Sequence, residues 1–227
     1  AIGHASGLGT TAGGVTVASG ATLDLQGVSV GTEAVTLNGG TLSASTCTSS
    51  LAGAVAMGSN STINVGDTQL TLSGVVSGAG HGLTKTGSGT TVLSGSNTYT
   101  GATTVSAGTL ALGANNVLAD ASALVVSGGS FDLGGYSDTV ASVQLTGGSI
   151  TNGTLTGASD FDVQAGSIAA ALAGTTASVG LTKSTVGTLV LSGSNTSTGA
   201  TTISAGVLSV GAMGNGGVAG HLGQATS

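Results

Sequence analysis

One passage of this sequence is written twice, and that repetition restricts the fold more than any other feature. Gly82-Leu83-Thr84-Lys85 opens a text that runs through Leu93-Ser94-Gly95-Ser96-Asn97-Thr98-Tyr99-Thr100-Gly101 to Ala107-Gly108-Thr109-Leu110. It returns without a gap from Gly180-Leu181-Thr182-Lys183 to Ala205-Gly206-Val207-Leu208, and both lysines of the chain fall at equivalent places. A second pair of texts interleaves with the first: residues 17–27 match 125–135, and 35–42 match 143–150. Such self-similarity marks a stacked architecture, in which each unit buries its apolar face against its neighbours. The sequence therefore reads as one continuous domain over 1–227. It divides into modules at about 1–113 and 114–211, with a third starting at 212–227.

The grain within each module is finer. Ala21-Thr22-Leu23-Asp24-Leu25, Ser61-Thr62-Ile63-Asn64-Val65 and Thr109-Leu110-Ala111-Leu112 alternate polar and apolar residues, as a half-buried strand does. Gly, Asn and Ser punctuate these runs and read as turns. Nothing combines a cap with a sustained helical period. A sandwich or barrel would also show many short strands, but tandem text favours a solenoid. So does the absence of proline, which sheets tolerate mainly at their edges. Aromatic residues are confined to Tyr99, Phe131, Tyr136 and Phe161, which predicts a narrow core of Val, Leu, Ile and Ala. The expected fold is an all-β solenoid of about ten coils stacked about 4.8 Å apart.

Composition also excludes function classes. With two lysines, no arginine and a formal charge of −6, the chain cannot neutralise a phosphate backbone, so no nucleic-acid partner is expected. No apolar run reaches the length of a membrane helix, and the aromatic girdles of a membrane barrel are missing, so no membrane insertion by this chain is expected. Ala1 is not a Met and no leader precedes it, which reads as a secreted, processed fragment. Cys47, alone, supplies no disulfide framework and is expected as a small buried or half-buried residue.

The repeated words Gly-Leu-Thr-Lys, Leu-Ser-Gly-Ser-Asn-Thr, Gly-Ala-Thr-Thr and Ala-Gly-x-Leu resemble the passenger-associated transport repeat of bacterial autotransporters, over about Gly82–Leu112 and Gly180–Val210. The flanking Gly20-Ala21-Thr22-Leu23-Asp24-Leu25 and Leu37-Asn38-Gly39-Gly40-Thr41-Leu42 are similar to the same passengers. The resemblance implies a right-handed parallel β-helix, secreted and displayed or released at a bacterial surface. The second copy departs where Ser197 replaces Tyr99 and Thr185-Val186 replaces Gly87-Ser88, which puts that turn in doubt. The resemblance supplies no active site.

Residues that could carry chemistry are few. Asp24 and Asp132 are text equivalents expected on outward strand faces. Asp160 and Asp162 alternate around Phe161 and would share a solvated face rather than form a paired-carboxylate site. His4, His81 and His221 are too dispersed for a metal site or a triad. Lys85 and Lys183 are expected to face solvent or to pair with a carboxylate. No catalytic residue, cofactor or metal is expected, and the chain reads as a non-enzyme. The leading function is an extracellular structural rod, used as a stalk or stacked head to tail with copies of itself into a fibre, with Ile2, Leu8, Met213, Val218 and Leu222 as apolar plugs. The alternative is an adhesin that binds a glycan or a cell surface. Ice binding and polysaccharide cleavage rank lower. The Thr-x-Thr texts at Thr98-Tyr99-Thr100 and Thr196-Ser197-Thr198 recur only once per module, where an ice face needs them on every coil.

Overall fold

The computed structural model describes residues 2–4, 7–8, 13–211 and 219–223. Among them are twenty-seven short strands and no helix. Numbered in chain order, they fall on three faces of a coil. One face is a ten-stranded sheet of β2 (Thr22–Asp24), β5 (Thr41–Ala44), β8 (Ser61–Val65), β11 (Leu83–Thr86), β13 (Thr103–Val105), β15 (Ala123–Val126), β18 (Ser142–Leu145), β21 (Phe161–Val163), β24 (Leu181–Lys183) and β26 (Thr201–Ile203). The second is also ten-stranded: β3 (Ser29–Val30), β6 (Ser49–Leu51), β9 (Gln69–Leu72), β12 (Thr90–Leu93), β14 (Thr109–Leu112), β16 (Ser130–Asp132), β19 (Ser149–Thr151), β22 (Gly166–Ile168), β25 (Thr188–Leu191) and β27 (Val207–Val210). Paired strands run parallel, so the chain completes a full circuit between one strand and its partner. That is the expected solenoid. Ten rungs at the spacing of paired strands make a stack about 45 Å long.

The third face is broken. It holds β1 (Val15–Ala18), β4 (Val35–Asn38), β7 (Val55–Ser59) and β10 (Val76–Ser77), then, after an interval, β17 (Ser137–Val140), β20 (Thr154–Gly157) and β23 (Ala171–Gly174). The interval coincides with the first repeat, where side chains replace the ladder. Asn97 Oδ1 accepts from the Val76 amide at 2.8 Å while its own amide donates to Val117 O at 2.9 Å. Asp138 Oδ2 then accepts from the amides of Val117 and Leu118 at 2.9 and 3.0 Å. Past β23 the second repeat does the same: Asn195 Oδ1 accepts from Leu172 N at 2.7 Å, and Asn195 N donates to Gly220 O at 2.9 Å. All three side chains are buried, where an unpaired backbone amide would be costly.

Inward residues form rows along the stack. Leu51, Leu72, Leu93 and Leu112 are register partners on the second face, and each is buried. Phe131 and Phe161 each occupy one place in such a row, so the narrow core takes an aromatic ring where its neighbours are Leu, Ile or Val. Tyr99 is fully buried too. Its hydroxyl meets Thr103 Oγ1 at 2.6 Å, which satisfies both polar groups inside the core. The two sets of matching texts behave differently. Both copies of the long repeat begin on the first face and end on the second, whereas residues 17–27 begin on the third face and 125–135 on the first.

Candidate functional site, a polar groove on the first repeat

Outward residues form rows as well. On the first face Thr22, Thr41, Thr62, Thr84 and Thr104 are successive register partners, one per coil over five coils. The row continues through Val125, Gln144, Asp162, Thr182 and Thr202. At its fourth and fifth threonines the surface sinks into a groove of about 230 Å³ lined by Asn60, Gly80, Gly82, Thr84, Gly101, Ala102 and Thr104.

Glycine makes the groove possible. A Cβ on Gly82 would stand 2.8 Å from Ala102 O, and one on Gly101 would stand 2.2 Å from the carbonyl carbon of His81, so these positions let neighbouring coils close up. Gly80, at φ +78°, differs: a Cβ there would meet nothing within 4 Å. Hydrogen bonds fix the walls. Asn60 Oδ1 accepts from Gly82 N, and Thr100 Oγ1 from Gly80 N, both at 2.8 Å. The lining contains hydroxyl, carboxamide and backbone groups, with no charged or aromatic side chain.

The second repeat rebuilds the scaffold with different chemistry. Asp160 Oδ1 accepts from Gly180 N at 2.8 Å, as Asn60 does from Gly82. Gly180, Thr182, Gly199, Ala200 and Thr202 match Gly82, Thr84, Gly101, Ala102 and Thr104, but Ser178 stands in place of Gly80.

The lysines are where the sequence reading fails. Lys85 and Lys183 face neither solvent nor a carboxylate: they are 1% and 0% exposed and point into the core. Lys85 is the register partner of Ile63 and Val105. Its ammonium curls under the turn that follows β11 and donates to Thr86 O, Gly87 O and Ala107 O at 2.6, 2.9 and 3.3 Å. Burial pushes its pKa down to about 8. Lys183 donates to Thr185 O at 2.6 Å. A Cβ on Gly108 or on Gly206 would stand 2.8 or 2.7 Å from the ammonium nitrogen, so each repeat keeps a glycine facing its lysine. The altered turn of the second copy leaves Val186 87% exposed.

The carboxylates are structural acceptors. Burial pushes the Asp24 carboxyl up, but hydrogen bonds from Ser45, Gln26 and Ser43 outweigh it and hold the group below its usual range. Asp132 accepts from Gly134 N and Asn152 Nδ2 at 2.8 and 3.0 Å. Asp160 and Asp162 do not converge: Asp160 reaches Gly180, while Asp162 accepts from Gln144 and Gln164. Desolvation by burial raises Asp138 above its ordinary value, against hydrogen bonds from Leu118, Val117 and Thr139, with the Asp120 charge adding to the rise. Among the described residues no three His, Cys, Asp or Glu side chains come close enough to hold a metal. His4 and His221 lie at opposite ends of the stack, and His81 borders the groove through its carbonyl. Cys47 is exposed rather than buried, because it sits in the turn before β6.

Of the proposed apolar plugs, Ile2, Leu8 and Leu222 are half-buried against the chain's own core, and Ile2 bridges to Leu25. Met213 and Val218 lie outside the described residues. Thr98 and Thr100 flank the buried Tyr99 and face outward.

Comparison with known proteins agrees with this geometry. The family described as passenger-associated-transport-repeat matches residues 83–112 and 181–210, which are β11–β14 and β24–β27. The adhesin BmaC autotransporter of Brucella suis biovar 1 (strain 1330) is 32% identical over 240 residues. That alignment takes in 94% of this chain but 6% of the relative, so the chain spans a small part of the protein it resembles. No solved structure matches.

Proposed function

Starting from an autotransporter-passenger β-solenoid that carries two passenger-associated transport repeats, we propose that this chain is an adhesin-type surface segment whose own task is mechanical. It is a non-enzymatic stalk, secreted and held at the cell surface. The observation that carries this reading is the pair of ten-stranded sheets running unbroken along the stack. Every rung is tied to the next by parallel ladder bonds and by apolar rows, so a load along the axis is shared by many bonds. The polar side chains that interrupt other surfaces are here used as ties between coils, as at Asp24–Ser45 and Asp132–Asn152. The experiment is adherence of bacteria that display a passenger with and without this segment. Loss of adherence on excision, restored by an unrelated solenoid of equal length, supports a stalk. Unchanged adherence without any replacement overturns it.

A further inference from the structure

We propose that the groove on the first repeat is a binding site for a neutral glycan, which lies along the threonine row and is held by Asn60, Thr84 and Thr104. The proposal goes beyond the mechanical reading and does not depend on it: it adds a ligand contact to the adhesin-type segment.

The lining selects the ligand class. Without a charged side chain it offers nothing to pair with an acidic sugar, a phosphate or a basic peptide. With Ala102 as the one aliphatic side chain of the lining and no aromatic one, it offers an apolar ligand little burial. What remains is a cluster of groups that both donate and accept. The Thr84 and Thr104 hydroxyls each do so. The Asn60 carboxamide spends its oxygen on Gly82 N, and its Nδ2 donors have no partner among the described residues. A polyhydroxylated ring, able to donate and accept at each position, matches this cluster. The site is also directional. Thr62, Thr41 and Thr22 continue the row beyond the groove at about 4.8 Å steps, so hydroxyls are offered along the rod axis to successive units of a chain.

The second repeat is an internal control. Asp160 in place of Asn60 replaces a donor with a charge that only accepts, and the turn that holds Gly80 at φ +78° in the first repeat holds Ser178 in the second, whose hydroxyl is engaged with Thr176. Binding is therefore assigned to the first repeat alone.

The test is amide NMR on the full chain, titrated with cellohexaose, maltohexaose, laminarihexaose and mannohexaose. Oligogalacturonate and a collagen-type peptide serve as the acidic and peptide comparisons. The expected result is that at least one neutral oligosaccharide, at up to about 10 mM, shifts the amides of Gly82, Gly101 and Thr104 and leaves those of Gly180, Gly199 and Thr202 in place. Asn60→Asp and Thr104→Val should each weaken binding about three- to tenfold, the loss of one or two hydrogen bonds, with Thr104→Ser restoring it. The proposal is overturned if no neutral oligosaccharide moves the groove amides, if only the acidic sugar or the peptide does, or if both repeats respond alike. Should Asn60→Asp fail to fold, Thr84→Val and Thr104→Val carry the same decision. The two readings separate cleanly. A failed oligosaccharide titration rejects the groove and leaves the stalk reading standing, whereas unchanged adherence on excision of the segment rejects the stalk and leaves the groove standing.

Discussion

Raising the pH should make this protein more stable over a definite interval, and the reason is Lys85. The ordinary pKa of 10.5 falls to about 8 because the folded chain buries the ammonium. Below pH 8 the folded and unfolded chains both carry the proton, and the folded one bears the desolvation cost in full. Between 8 and 10.5 the folded chain releases its proton while the unfolded chain keeps it, so stability rises with pH. A fall from 10.5 to about 8 corresponds to at most about 3 kcal/mol. The three carbonyls around the nitrogen favour the ammonium and pull the gain below that ceiling. Above pH 10 the sign turns. Burial raises the Tyr99 hydroxyl above its ordinary 10.0, so the unfolded chain ionises first and stability falls. Urea unfolding followed by circular dichroism at pH 7, 8, 9 and 10 reads the effect. With a urea slope of about 2–3 kcal/mol/M, the midpoint should climb by up to about 1 M between pH 8 and 10. Lys85→Met should flatten that climb. A midpoint in the native sequence that is level or falling across the interval would refute the argument. The same climb in Lys85→Met would move the cause elsewhere.

Three further outcomes follow from single contacts. Gly108→Ala places a Cβ 2.3 Å from Gly87 O and 2.8 Å from the Lys85 nitrogen at φ +63°, and should cost about 3 kcal/mol or more in urea unfolding. Gly20→Ala, at φ +76° with open space around it, should cost only about 1 kcal/mol. Asn97→Ala leaves the buried Val76 amide without its acceptor and should cost about 1–3 kcal/mol, an effect that Asn97→Asp, which keeps the oxygen, should reduce. Cys47 should react with a thiol reagent in the folded protein at the rate of a small exposed thiol, and protection that is lost only on unfolding would place it inside.

The fold was legible because repetition, strand alternation and absent proline all point one way. The lysines were misread although the same alternation was present. In Leu83-Thr84-Lys85 and in Leu181-Thr182-Lys183 the lysine has the parity of the buried leucine, and period two places it inside. The general cost of burying a charge points the other way, toward solvent or a carboxylate partner. What the cost argument lacks is the turn: the ammonium finds backbone carbonyls at and just beyond the end of the strand. Tyr99 joins the core outside the expected set of Val, Leu, Ile and Ala, because its hydroxyl finds a buried partner in Thr103, which in the sequence looks like one more surface threonine of a Thr-Thr pair.

The groove and the threonine row were hidden for a different reason. Successive members of the row are 19, 21, 22 and 20 residues apart, so no fixed period in the text reveals them. Coils lengthen and shorten in their turns, while the ladder bonds keep the strands in register whatever the turns do. A ligand meets the register, never the count along the chain. The words that repeat in the text therefore report what each coil needs to close: the lysine under its turn, the glycine facing it, and the asparagine that ties the third face. Asn60 against Asp160 and Gly80 against Ser178, which lie ahead of the two copies, stand on the outer surface, where the side chain can change while the coil still closes. In a solenoid built from near-identical coils, function is most readable at those departures, because the scaffold leaves them free to vary.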